Sequence, residues 1–311
     1  LAALLAAGTS LTRLKTTSDY GKESTRGKSE LTSNIDNKTQ GLDKDYATQW
    51  SYGIAESMTL LIPNFYGGSS ASSVLSLEDS KTLDFLKKFK NKKLANSLAQ
   101  YKSSSYWGDQ PIVSGPTYSG AIVIFLFILG LLFVKSEFRI WLLLATIMSL
   151  MLAWGKNFMP LTDFFLDFFP GYNKFRAVSM ILIIAEFTIP LLGFIALDKF
   201  LSSSVDNKEK QKPLKLAFYI TGGLTLIFAL FPSLFLDFTS KNDLNPIATG
   251  VITPDNFLES LALDRSSLLS TDAWRSFIFI GLTFGILMLY LRNSLKSQYV
   301  ILIVGLLVVC D

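Results

Sequence analysis

Polarity along this chain alternates in long blocks. Apolar runs occupy 118–134, 140–154, 177–197, 216–236, 273–291 and 299–310, and a short one opens the chain at 1–7. A helix crosses a hydrocarbon layer about 30 Å thick with roughly 20 apolar residues, so these blocks read as membrane spans. The runs at 118–134 and 140–154 are slightly short unless their helices extend into the flanks. The pattern predicts an all-α membrane fold: a multi-span helical bundle over 118–311, with a mixed extracytoplasmic segment over 8–117. Leu1–Ala7 reads as the tail of a longer spanning helix, and the chain as a fragment of a longer one.

The polar blocks carry their own pattern. Residues 8–117 hold 14 Lys/Arg against 11 Asp/Glu, too long a stretch to lack internal structure. Met58–Ile62 is a short apolar run stopped by Pro63 and the Gly67-Gly68 turn. Ser76 is a candidate cap for a helix whose stripe is Leu83, Leu86, Phe89, Leu94 and Leu98, with Lys87, Lys88, Lys90, Lys92 and Lys93 on a basic face. In the acidic segment 237–272, Thr253-Pro254-Asp255 has the chemistry of a helix start. That helix is expected to be amphipathic and to lie on the membrane surface. Ser270-Thr271-Asp272 offers a second cap, ahead of the next span.

Charge orients the bundle. The turns 135–139, 198–215 and 292–296 hold nine Lys/Arg in 28 residues. Alternate turns lie on one side, and the positive-inside rule places these three in the cytoplasm. Segments 8–117, 156–176 and 237–272 then face outward. The expected location is the bacterial inner (cytoplasmic) membrane, with multiple passes.

Composition narrows the chemistry. Half of the 311 residues are hydrophobic, and there is no histidine. That excludes Ser-His-Asp and Cys-His catalysis and most zinc sites. The single cysteine, Cys310, makes an intrachain disulfide impossible. A net charge of +4 fits basic cytoplasmic loops rather than nucleic acid; the partner is the lipid bilayer.

The stretch 163–197 concentrates the candidate chemistry. Asp163 and Asp167 are four apart, so a helix sets them on one face, with Phe164, Phe165, Phe168 and Phe169 around the rest. Such a pair could hold a divalent cation or an acceptor hydroxyl; equally it is the wet face of an aromatic anchor. Lys174 and Arg176 stand at the start of a span, where free N–H groups and a cationic fork suit a phosphate at headgroup depth. The plainer reading is a pair of interfacial anchors. Glu186 sits near mid-span, where an acid is costly; it is expected to face the bundle interior. Asp109 and Arg26 are further candidates, or structural ties of the outer segment.

Several stretches resemble a family. They are Ser24-Thr25-Arg26-Gly27, Trp50-Ser51-Tyr52-Gly53, the run from Leu60 to Gly68, Tyr106-Trp107-Gly108-Asp109, and Phe175-Arg176-Ala177 opening a span. The chain thereby resembles the YfhO-like bacterial membrane proteins, grouped with the GT-C glycosyltransferases, in their Bacteroidetes-type variant. The resemblance implies a membrane enzyme that takes sugar from a polyprenyl-phosphate donor to an envelope acceptor. It also implies a catalytic acid in an early external loop, before Leu1, so no catalytic base is assigned here. Members often carry Pro and a further Arg after Arg176, where this chain has Val178-Ser179-Met180. The rival classes are a transporter or lipid flippase, for which Pro190, Pro232 and Glu186 are the candidate features, and a non-catalytic envelope scaffold.

Overall fold

The computed structural model describes residues 5, 8–24, 26–27, 35–244 and 254–311. Most of Leu1–Ala7, Thr25 of the first motif and Thr253 of the predicted helix start lie outside the described residues. The longer helices are α1 Leu11–Lys22, α2 Lys81–Lys88, α3 Lys92–Tyr101, α4 Ala121–Phe133, α5 Glu137–Ala153, α6 Met159–Phe168, α7 Ile183–Ser202, α8 Asn207–Leu230, α9 Asp255–Leu291 and α10 Ser297–Cys310. Among the described residues there is no β-strand, only one isolated bridge between Ser73 and Ser104.

Three helices are long and apolar enough to cross a membrane: Val178–Ser202, which includes a leading 3-10 turn, Asn207–Leu230 and Asp255–Leu291. A fourth apolar stretch, Glu137–Ala153 with Gly155–Phe168, is broken, and α4 and α10 are shorter apolar helices. Exposed Phe187, Phe194, Ile220, Ile227, Ile278 and Leu282 give the long helices apolar outer faces of the kind lipid covers. The chain divides into two compact units, Leu1–Ile54 with Ser149–Leu182, and Ala55–Met148 with Ile183–Asp311.

In the larger unit, α8 packs on α9 and α4 on α7. Small residues set the second contact. A Cβ on Gly130 would meet Leu192 Cγ at 2.8 Å, and one on Gly193 would meet Val123 O at 3.2 Å. Close backbone approach maximises dispersion where lipid offers no hydrophobic drive between helices.

Helix α9 corrects the reading of 237–291. The surface helix and the span after it are one helix of 37 residues, about 55 Å long at the standard rise. Ser270-Thr271-Asp272 caps nothing. Thr271 Oγ1 donates back to Ser267 O, Ser270 Oγ to Ala229 O, and Asp272 accepts the Asn64 N–H at 3.1 Å. Cap-forming residues do not stop a helix whose sequence holds no Pro and no Gly before Gly281. One face of the first half of α9 is covered by protein. Phe257 and Leu261 are buried with Val74, Leu86, Ala95 and Leu98.

The cap of α2 is also displaced. Ser76 ends a 3-10 turn, and Ser80 is the N-cap, its Oγ accepting the Leu83 N–H at 3.0 Å. Asp264 on α9 reinforces that helix start, accepting from Ser80 Oγ, Lys81 N–H and Thr82 N–H. The expected single stripe breaks at Phe89, and Asn91 caps α3. Leu86 and Leu98 face inward while the five lysines stay exposed.

In the smaller unit, α5 ends at Ala153 and Gly155 takes φ +48, a left-handed conformation suited to glycine. The turn is pinned by the Trp50–Gly53 stretch. Tyr52 N–H donates to Ala153 O at 2.8 Å, Lys156 N–H to Ser51 Oγ at 2.8 Å, and Asn157 Nδ2 to Tyr52 O at 2.9 Å.

Candidate functional site

The smaller unit gathers four of the predicted residues around α6 and the loop after it. Pro160 near the start of α6 is tolerated because the first-turn N–H groups have no helical partner. Thr162 and Leu166 face inward, which turns Phe164 and Phe168 outward at 54% and 74% exposure. Gly171 in the left-handed region lets the chain reverse after Pro170.

Asp163 is taken. Lys44 Nζ donates to its Oδ1 at 2.6 Å, and this hydrogen bond leads the causes that push the Lys44 pKa above its ordinary value; the Asp167 charge adds to it. Asp167 itself is exposed. Asp163 therefore carries a resident cation, the lysine, which Asp167 influences only through its charge. No group of three or more Asp, Glu, His or Cys suited to a metal occurs among the described residues.

Lys174 is spent on the backbone. Its ammonium donates to Gln40 O at 2.6 Å and to Arg26 O at 3.0 Å, tying those two residues to the loop after α6. Arg26 meets Lys174 through its carbonyl, and its backbone N–H donates to Ser24 Oγ at 3.2 Å.

Arg176 presents the more open chemistry. Its guanidinium carbon lies 4.5 Å from the Trp50 ring centroid and 5.1 Å from that of Tyr46, and Nη1 donates to Tyr46 Oη at 2.7 Å. Two aromatic faces hold the fork while the residue stays exposed, with further N–H groups for an oxyanion. Beside it, Phe175 is 67% exposed and Ala177 has φ +67, rare for a residue with a Cβ.

One expected term is absent. Arg176 does not open an α-helix: a 3-10 turn over Val178–Leu182 intervenes, and α7 starts at Ile183. The Ser179 N–H is already given to Trp50 O. A phosphate at this position would meet the guanidinium without α-helix N–H groups.

Glu186 and Asp109 belong to the larger unit. Glu186 is exposed in the first turn of α7, beside exposed Ile183 and Phe187, and does not face the interior as expected. The buried stripe of α7 runs through Ala185, Thr188, Ile189, Leu192 and Ala196, and residue 186 falls off that face. Changing Glu186 to Gln, which removes an acid from an outward-facing position of a membrane-length helix, is therefore expected to leave stability unchanged or to raise it. A thermal melt in detergent checks this, and a loss would reveal a partner. Asp109 makes a 3.7 Å surface ion pair with Lys241. The charge of Asp109 also acts on Tyr66, whose pKa is pushed up to about 12 by burial first, then by Glu56, Asp109 and Asp237.

Sequence reasoning missed Tyr46, Trp50 and Lys44. Trp50 was visible within a family-like stretch, but nothing local linked it to Arg176. Comparison with known protein families, curated proteins and solved structures finds no match to this chain.

Proposed function

We propose that this chain is a membrane glycosyltransferase-like protein that binds a polyprenyl-phosphate-linked sugar and modifies an envelope glycan or lipid outside the cytoplasm. The observation that carries the reading is Arg176: an exposed guanidinium held on Trp50 and Tyr46, next in the chain to exposed Phe175. A lipid-linked phosphate presents its charge at headgroup depth with its tail in apolar surroundings. An arginine next to an exposed phenylalanine suits both parts. The test is crosslinking of a photoactivatable polyprenyl-phosphate sugar to the purified protein in vesicles. Labelling at the Tyr46–Trp50 or 175–180 peptides supports the reading, and absence of labelling there removes it.

The proposed setting is the bacterial inner membrane, with 135–139, 198–215 and 292–296 in the cytoplasm. Within the larger unit, Asn207 Nδ2 donates to Leu291 O and Tyr290 Oη to Leu201 O, which joins the ends of two of these basic turns. Bonds from Ser80 to Asp264 and from Arg265 to Ser104 join the polar segments assigned outward. Cysteines at exposed Ser204 and Ser72, in a background without Cys310, are expected to react with an impermeant reagent from opposite sides. Reaction from one side would end the topology.

A further inference from the structure

The larger unit holds a cleft of about 560 Å³ where the chain leaves α4 and α7 and enters α8. Its charged lining is Lys135, Lys199 and Glu209, with Ser203 among the polar residues and Leu132 and Pro213 among the apolar ones. Neither lysine's ammonium makes an ion pair or a hydrogen bond among the described residues, and Glu209 pairs with neither. The Ser203 hydroxyl is buried without a hydrogen-bond partner. A buried hydroxyl without a partner, in one cleft with two exposed ammonium groups that no carboxylate neutralises, suits an anionic ligand.

Helix ends would ordinarily argue against an anion here, because α4 and α7 both bring their C-terminal carbonyls to this end. Both are neutralised from within. Arg139 Nη1 donates to Leu131 O at the end of α4. Buried Lys210 donates to Phe200 O and Ser203 O at the end of α7. These two cations leave Lys135 and Lys199 for something else. The neighbouring N-terminus of α8 is closed to a free anion, since Asp206 caps it and Glu209 occupies its first turn.

We propose that this cleft binds the phosphate of an anionic glycerophospholipid between Lys135 and Lys199, with the acyl chains leaving along the apolar wall at Leu132. A lipid is favoured over free phosphate because more of the lining is apolar than polar, and because the cleft lies at the ends of apolar helices rather than on a nest of N–H groups. The inference uses the membrane character of the chain and is independent of the sugar-transfer reading.

The test is native mass spectrometry of the purified protein in a neutral detergent, with phosphatidylglycerol, phosphatidylcholine or inorganic phosphate added. The parent is expected to retain phosphatidylglycerol over phosphatidylcholine, with roughly a fivefold loss for each of Lys135→Gln and Lys199→Gln. Glu209→Gln is expected to tighten phosphatidylglycerol binding, a gain that misfolding cannot imitate. Lys296→Gln, an exposed cation of the next basic turn, serves as the unchanged control. The proposal is overturned if the double variant Lys135→Gln/Lys199→Gln keeps the parent's lipid preference. Displacement of the lipid by millimolar inorganic phosphate would overturn it in favour of a free-phosphate site.

Discussion

Arg176→Ala is expected to lower binding and turnover of a polyprenyl-phosphate sugar by roughly 10- to 100-fold, the effect of losing a charge-assisted hydrogen bond to phosphate. Folding is expected to survive. The side chain is exposed and contributes one hydrogen bond to Tyr46 and two aromatic contacts. Such contacts at exposed sites stabilise by only about 0.5–1 kcal/mol each. Arg176→Lys keeps the charge but loses the planar fork and its stacking, so it is expected to restore binding only in part. Trp50→Leu leaves the charge and removes one holding face, and it is expected to fall between parent and Arg176→Ala. Lys156→Ala is the control: its side chain is exposed and its backbone N–H, which the substitution keeps, makes the bond to Ser51. The measurement is donor retention and turnover in vesicles, using variants with parental circular dichroism. If Arg176→Ala behaves like Lys156→Ala, Arg176 is a headgroup anchor and the phosphate is bound elsewhere.

The largest loss of stability is expected at Arg265. Its side chain is 1% exposed and pairs with Asp243 at 2.6 Å, Asp243 being 6% exposed. The guanidinium also donates to Phe238 O at 2.8 Å and to Ser104 O at 2.8 Å. This one residue on α9 therefore holds both the 237–243 segment and the chain before Tyr106. Arg265→Met fills similar volume but takes the guanidinium from a buried carboxylate and the donors from two carbonyls. Removing one partner of a buried pair costs about 3–5 kcal/mol. In hydrogen exchange, amides of 102–107 and 238–243 are expected to open, while those at 50–53 in the other unit stay as in the parent. Adding Asp243→Leu to Arg265→Met should recover part of the loss, because it removes the carboxylate that lost its guanidinium but not the carbonyls that lost their donors. Parental melting of Arg265→Met would show that the pair contributes little.

The two predictions differ in how far their residues could be found beforehand. Arg176 stood out because a cation directly before an apolar run is visible in a window of ten residues. Arg265 sits inside the same helix as the last long apolar run, and nothing near it in the sequence distinguishes a buried arginine from a surface one. Its partners lie 22 and 161 residues away. Lys44 and Asp163, separated by 119 residues, were equally hidden from each other.

The sequence by itself determined the helical class and the approximate position of the apolar helices. Hydrophobic blocks of this length satisfy their backbone only by forming helices in an apolar medium. It also marked Asp163, Asp167, Lys174 and Arg176 as neighbours along one stretch. Tertiary structure decided what those groups do: Asp163 neutralises Lys44, Lys174 ties two backbone carbonyls, and Arg176 rests on Trp50 and Tyr46. It also turned Glu186 outward, because helix phase is set by which small residues meet α4, and joined a surface helix and a span into α9. A helix start or stop is a contest of a few kcal/mol at most between local caps and distant partners. Here Phe257, Leu261, Asp264 and Arg265 found their partners in the segment that precedes the bundle, and those contacts outweighed the local signals at 270–272.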